Sequence, residues 1–283
     1  MQIVTSVVEL REIVNRWRKD GERIAFVPTM GNLHAGHIKL VQSAKSSSDR
    51  SVVSIFVNPT QFGQGEDYAT YPRTEQEDFL KLEATGSDLV FLPSVAEMYP
   101  DDALTVISVK GLSDLHCGEF RPGHFNGVAT VVCKLLNLVQ PDTAFFGQKD
   151  FQQLAIIRKM VQDLNIPVAI ESVETMRESN GLAMSSRNGY LSSEELNIAP
   201  KLYRTLCDAR HKILAKEKPY TAIENESVEI LHTSGFQVDY FRICRSNDLL
   251  AANPSDNHLV VLAAAKLGRT RLIDNITVNL TTV

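Results

Sequence analysis

Short apolar runs punctuate the first part of this chain at 24–27, 52–57, 89–92, 143–146 and 168–173. They are rich in β-branched and aromatic residues and too short for helices, so they predict strands. Between them, 36–47, 74–85, 125–139 and 151–164 carry apolar residues at helical spacing, and 11–23 is charged with a helical pattern. The stretch 125–139 is apolar on most faces and predicts a buried helix. For 74–85 the expected boundaries are Thr74 as N-cap with Glu77 three residues on, and Gly86 as the stop. Strand and helix alternate, which predicts an α/β fold: a doubly wound parallel sheet with helices on both faces. Ligands of such sheets bind beyond the carboxyl ends of the strands. The loops 61–71 and 99–102 border those ends.

The order changes after about Met176. Helical patterns at 194–215 and 221–234 precede strand-like runs at 238–243, 259–265 and 271–278. Helices followed by strands predict a separate, smaller C-terminal α+β domain. The expected division is therefore 1–175, carrying the chemistry, and 176–283, a lid. No internal repeat or low-complexity tract interrupts either part.

Composition narrows the function. The chain has 283 residues, 43% hydrophobic and 22% charged, ordinary values for a globular protein. Its net charge of -5 argues against nucleic acid as a partner. Cys117, Cys133, Cys207 and Cys244 are widely spaced with no Cys-x-x-Cys pair, which argues against a zinc knuckle and fits cytosolic thiols. No secretory signal and no run of the length a membrane span needs is apparent, so no membrane partner and a cytoplasmic location are expected.

The most informative stretch is P-T-M-G-N-L-H-A-G-H, from Pro28 to His37. It reads as strand, tight turn and helix start, with glycines that let a ligand approach the backbone. Helix N-termini favour phosphate. His34 and His37 there can hydrogen-bond phosphate without adding two fixed charges. A zinc site is the weaker reading, because the zincin helix needs histidines at i and i+4 with a glutamate between them.

Three further segments carry candidate chemistry, each with a plainer alternative. F-V-N-P-T-Q-F holds Asn58 and Gln61, uncharged amides suited to a small polar acid, though Asn-Pro is also an ordinary turn. Gly147-Gln148-Lys149-Asp150 leads into a helix; Lys149 is placed to meet phosphate and is otherwise a solvated lysine. Asp150 could receive ribose hydroxyls or cap the helix, and Gln153 lies on its first turn. G-L-A-M-S-S-R-N places Ser185, Ser186 and Arg187 as an anion clamp in the expected linker, where a flap could close on a nucleotide, though the Ser-Ser pair could simply cap a helix there.

Taken in order, P-T-M-G-N-L-H-A-G-H, F-V-N-P-T-Q-F, Y-P-R-T, R-P-G-H-F-N-G-V, F-F-G-Q-K-D-F-Q-Q-L and G-L-A-M-S-S-R-N-x-Y-L resemble the pantoate–β-alanine ligases over nearly the whole chain. The H-x-G-H element alone is shared with nucleotidylyltransferases and class I aminoacyl-tRNA synthetases. The resemblance implies a Rossmann-like domain and an ATP-dependent condensation of pantoate with β-alanine. Pantoate attacks the α-phosphate to give pantoyl adenylate and pyrophosphate; the β-alanine amine then displaces AMP. His34, His37, Lys149, Ser185, Ser186 and Arg187 match phosphate-contacting, catalytic positions. Met30, Gly31, Asn32, Leu33, His34, Ala35, Gly36, His37, Gly147, Gln148, Lys149, Asp150, Met176, Met184, Ser185, Ser186 and Arg187 match ATP-binding positions. Gln61 and Gln153 match pantoate-binding positions, with Asn58 beside them. The resemblance also implies Mg²⁺, held mostly by phosphate and water with Glu77 and Asp78 nearby, and a homodimer.

Two positions depart from the family pattern. Gln148 stands where Glu is usual and Asn180 where Asp is frequent. Each removes a negative charge near the expected phosphate site. The competing readings are a nucleotidylyltransferase acting on a phosphorylated acceptor and a silent nucleotide-binding protein. Neutral Gln61 and Gln153 argue against the first, and the joint presence of His34, His37, Lys149 and Arg187 argues against the second.

Overall fold

Strands covered by helices on both faces can be apolar throughout, and that is the arrangement the first part of the chain adopts. The structure, a computed structural model, describes residues 1–280. The sheet strands are β1 (Gln2–Val4), β2 (Ile24–Thr29), β3 (Arg50–Ile55), β4 (Leu89–Phe91), β5 (Thr143–Gly147) and β6 (Ala169–Val173). Their order is β1-β4-β3-β2-β5-β6 and every pairing is parallel. From β2 the chain steps outward through β3 to β4, then returns to place β5 on the other side of β2. The strand order therefore reverses between β2 and β5, the switch point where such sheets bind ligands.

Alternation along the strands sends side chains to opposite faces. Ala25 and Val27, Val53 and Ile55, Val90 and Phe145 form one buried layer with Leu40, Val41 and Ala44 of the helix Ala35–Ser47 and Leu82 of the helix Glu75–Ala84. The helix His124–Val139 packs against β2 and against the helix Val7–Lys19. Its burial on most faces is as its apolar sequence predicts.

The chain divides into two compact units. The first is Met1–Asp114, Arg121–Gln148 and Ile156–Glu174; the second is Leu115–Phe120, Lys149–Ala155 and Thr175–Val283. The sequence pattern suggests a single cut after residue 175, but two short pieces from earlier in the chain belong to the second unit. The last three residues of the expected 176–283 lie outside the described ones. The second unit is built on an antiparallel sheet of β7 (Gln237–Arg245), β8 (His258–Leu267) and β9 (Thr270–Asn279), ordered β7-β8-β9. Leu202, Leu206, Ala209 and Ile213 recur at helical spacing and pack on Leu259, Val261, Ala263 and Ala265, which alternate along β8.

Several boundaries differ from expectation. The pattern at 194–215 is two helices, Ser193–Ile198 and Lys201–Leu214. Pro200 has no N–H to donate back along the helix, so the chain breaks there. The first helix begins at Val7 rather than near residue 11, because Ser6 and Glu9 form a capping box. The box expected at Thr74 and Glu77 is absent; Thr74 makes no side-chain cap. The strand β1 matches none of the runs read from the sequence. It has three residues, two of them exposed, and shows too little alternation to read.

One close approach constrains the first unit. A Cβ at Gly127 would lie 2.3 Å from the Thr60 carbonyl oxygen and 2.7 Å from the Gln61 nitrogen. These are backbone atoms, so they cannot swing aside. Gly127→Ala is expected to cost about 1–3 kcal/mol of folding stability, as overpacked cores do; the urea midpoint at constant slope measures it.

Candidate active site

The turn after β2 is built from inside. Thr29 Oγ1 donates to the Ser54 carbonyl at 2.8 Å and accepts the Gly31 N–H at 3.2 Å. Gly31 has φ +78°, and a Cβ there would sit 3.1 Å from both Asp78 Oδ2 and Ile55 Cγ2. Asn32 follows at φ 48°, a second left-handed residue in succession. Asp78, wholly buried, receives the Asn32 N–H on Oδ2 at 2.8 Å and the Leu33 N–H on Oδ1 at 2.7 Å. Lys81, one helical turn further on, donates to the Leu33 carbonyl at 2.8 Å. The Thr74 hydroxyl is turned to Asn32 Oδ1 at 3.4 Å, which is why it caps no helix.

That turn delivers the two histidines. His34 is the N-cap of the helix Ala35–Ser47, and its Nδ1 accepts the Gly36 N–H at 3.1 Å. His37 Nδ1 accepts the His34 N–H at 3.3 Å. This is a capping box in which histidines take the places of the usual Ser and Glu. The ring centroids are 4.1 Å apart. Because both Nδ1 atoms accept, the tautomer these bonds select carries its hydrogen on Nε2. Each neutral ring therefore has one orientation and one donor.

Asn58 and Gln61 are both brought to this unit's interior, but they differ in what they offer. Asn58, 1% exposed, donates to Gln61 Oε1 at 3.0 Å and to the Gly127 carbonyl at 3.2 Å. Its Oδ1 accepts from the Thr60 and Tyr99 hydroxyls, each at 2.9 Å. Asn58 is thus fully engaged within the protein and acts on Gln61 rather than beside it. Gln61 Nε2 lies 3.2 Å from Met30 Sδ, which ties it to the histidine turn. The Gln61 carbonyl meets His124 Nδ1 at 2.7 Å. Arg121 grips Glu66 with 2.6 and 2.5 Å bonds. Burial works against the Glu66 charge, yet Arg121 holds that carboxyl below its ordinary range.

The second unit holds the other candidates except Gly147 and Gln148, which belong to the first. Lys149 follows Gly147 and Gln148 by chain, and its carbonyl accepts from Asn275 Nδ2 at 2.9 Å. Met176 and Met184 face each other across a turn, joined by the Met184 N–H to the Met176 carbonyl at 2.9 Å. Arg177 anchors that turn: it donates to the Gly181 carbonyl at 3.2 Å and forks onto Asp274 at 2.7 and 3.0 Å. Burial pushes the Asp274 carboxyl above its ordinary range, against the pull of Arg177. Asn180 Oδ1 accepts the Leu182 N–H at 3.0 Å, so an amide performs the local turn that a carboxylate would. Ser185 caps the short helix Ser186–Tyr190 by accepting the Arg187 N–H at 3.3 Å. Asp150 ends the 3-10 turn Gln148–Asp150 that leads into the helix Phe151–Asp163, where Gln153 is half-buried.

Glu77 and Asp78 do not form a metal-binding pair. Both Asp78 oxygens hold backbone N–H groups, whereas the Glu77 side chain is 72% exposed and 3.9 Å from Lys81. Among the described residues no group of three or more His, Cys, Asp or Glu side chains could hold a metal ion. A cavity of about 520 Å³ opens beyond the carboxyl ends of β2, β3 and β4, bordered by Met30, Gly31, Phe56, Arg73, Thr74 and Ser94.

A doubly wound parallel sheet with a histidine-capped helix beyond its central strand defines an α/β protein carrying an H-x-G-H element. Within that class, the family model for pantoate-beta-alanine ligase matches residues 2–277. The chain is 55% identical to the pantothenate synthetase of Methylococcus capsulatus over 284 aligned residues, covering 100% of this chain and 99% of that protein. The pantothenate synthetase structure from Thermus thermophilus superposes with a TM-score of 0.92 at 44% identity, over 98% of this chain and 99% of that one. The Francisella tularensis pantoate-beta-alanine ligase, complexed with beta-gamma ATP and beta-alanine, gives 0.83 at 36% identity, over 98% and 97%. The chain belongs to the pantoate–β-alanine ligase family. It is a ligase that joins pantoate to β-alanine through an amide bond.

Among the residues described above, Asp78 gives the most direct test. Asp78→Asn keeps the shape but turns an NH₂ toward one of two backbone donors. The expected result is a loss of about 1–3 kcal/mol in stability, with a matching fall in activity at temperatures where the variant stays folded. Urea unfolding and steady-state assays measure the two.

Proposed function

We propose that this chain carries out its ligation through an adenylate, with ATP as the activating substrate. The pantoate carboxylate attacks the α-phosphorus; the new O–P bond forms as the bond to the β-phosphate oxygen breaks and pyrophosphate leaves. The β-alanine amine then attacks the acyl carbon, the C–N bond forms, and AMP departs. A carboxylate nucleophile needs no base, so the first step depends on positioning and on donors aimed at phosphoryl oxygens. The observation that carries this reading is the reciprocal histidine box, in which Nδ1 of each of His34 and His37 accepts a backbone N–H and the donor is Nε2–H. In this assignment those two donors serve the phosphates, and so do Lys149, Ser185, Ser186 and Arg187. The turn Met30–Leu33, Ala35, Gly36, Gly147 to Asp150, Met176 and Met184 bind the nucleotide. Gln61 and Gln153 take pantoate. The ATP and β-alanine bound in the Francisella tularensis ligase support the choice of substrates.

Mg²⁺ belongs to the family expectation, but Glu77 and Asp78 do not fit it as a ligand pair, and no step here passes through a metal. A homodimer and a cytoplasmic location complete the reading. The four cysteines are all unpaired thiols, as suits a reducing compartment. No helix among the described residues is long and apolar enough to cross a membrane.

ATP–pyrophosphate exchange tests the adenylate. Exchange is expected with pantoate and not with other small acids, and exchange without pantoate would contradict the substrate assignment. His37→Ala and Lys149→Ala are each expected to slow single-turnover adenylate formation by about 10²–10³, the scale of a lost oxyanion donor. Unchanged rates in both would remove these residues from the chemistry.

A further inference from the structure

The hydrogen bonds around Asn58 settle the polarity of two amides. The Gly127 carbonyl can only accept, so the Asn58 atom 3.2 Å away is Nδ2. The Thr60 N–H can only donate, so the atom 3.3 Å from it is Oδ1. With Asn58 fixed in this sense, its Nδ2 also faces Gln61 at 3.0 Å, and the Gln61 atom there must be the acceptor Oε1. Gln61 therefore points its NH₂ the other way, toward Met30. Asn58 Oδ1 also accepts from two hydroxyls, those of Thr60 and Tyr99, each at 2.9 Å.

Tyr99 is itself held. Its ring lies 6.2 Å from that of Phe56, and the Lys134 ammonium sits over its face at 5.5 Å. Burial pushes its phenol above the ordinary value, so the hydroxyl keeps the proton it donates. No pattern in the sequence singles it out, since it is 41 residues from Asn58.

We infer that Tyr99 is a positioning residue for the acid substrate: together with Thr60 its hydroxyl holds Asn58 in the orientation that keeps the Gln61 NH₂ end presented for binding. A presented NH₂ group suits a substrate that offers acceptor oxygens, such as a carboxylate or a hydroxyl lone pair of a hydroxy acid. A reversed amide would set oxygen against oxygen and reject the same group. This rests on the assignment of Gln61 to pantoate made above.

Tyr99→Phe keeps the ring and removes the donor. It is expected to raise the KM for pantoate about three- to tenfold, the range of one lost hydrogen bond, with kcat and the KM for ATP within about twofold, a change too small to register as a lost bond. The decisive arm repeats the substitution in a Gln61→Ala background, where an effect transmitted through Gln61 disappears. An unchanged pantoate KM in Tyr99→Phe overturns the inference. So does an equal rise for ATP, or an undiminished effect in the Gln61→Ala background. If Gln61→Ala alone leaves the pantoate KM unchanged, the assignment of Gln61 to pantoate fails instead, and the inference falls with it. Asn58→Asp, which cannot donate to Gln61 Oε1, is expected to impair pantoate binding more than Tyr99→Phe, by about tenfold or more; matched melting temperatures establish that both variants are folded.

Discussion

A single buried carboxylate holds the backbone on which the histidines depend. Asp78 accepts two successive N–H groups, from Asn32 and Leu33, across 46 and 45 residues of sequence. The turn it grips contains two left-handed residues in a row, one of them not glycine. Such a backbone is unfavourable on its own and persists where surrounding bonds over-determine it. A carboxylate at zero exposure is in turn tolerable only with donors on its oxygens. Each side of the contact answers the other's cost. Lys81 ties the same turn from one helical turn away, so the helix Glu75–Ala84 works as a template for the start of the helix Ala35–Ser47. The angle at which His34 leaves the turn, and with it the histidine capping box, follows from that template.

The fold is largely legible in the sequence because its signals are local. Alternating apolar strands and helices announce a parallel sheet, and the observed strands overlap every run read as a strand. The turn from Pro28 to His37 is legible for the same reason: glycine and histidine at a strand-to-helix junction have a physical meaning within ten residues. The signals that mislead are those whose partner lies far away. Thr74 with Glu77 has the form of a capping box, yet the Thr74 hydroxyl goes to Asn32, 42 residues distant. By the family resemblance Asp78 reads as an acid near a metal ion. Its actual partners are backbone N–H groups that no side-chain pattern records. Asn58 reads as a neighbour of the substrate because amides at a strand end suit a polar acid. The Gly127 carbonyl and the Tyr99 hydroxyl, both remote in sequence, complete with Thr60 and Gln61 a set of bonds already made.

The histidines and Gln61 share a principle of construction. Imidazole and carboxamide are ambivalent groups, each with a donor end and an acceptor end. In both cases an internal hydrogen bond occupies the acceptor. Nδ1 of His34 and His37 takes a backbone N–H, and Oε1 of Gln61 takes the Asn58 amide. In each case the acceptor end is tied to the protein, which fixes the donor end relative to it. On the proposed reading, joining a carboxylate to a triphosphate brings two anions together, a task that calls for donors in contact with them. Cations alone could supply that attraction, but a point charge does not specify where an oxygen must sit, whereas an oriented N–H does. Oriented neutral donors also need no reorganisation as charge moves between phosphoryl oxygens, which is the property that makes such groups effective in a transition state. The buried bonds from Asp78 to the turn and from Asn58 to Gln61 are therefore more than structural ties, because they convert two-faced side chains into donors with a single direction.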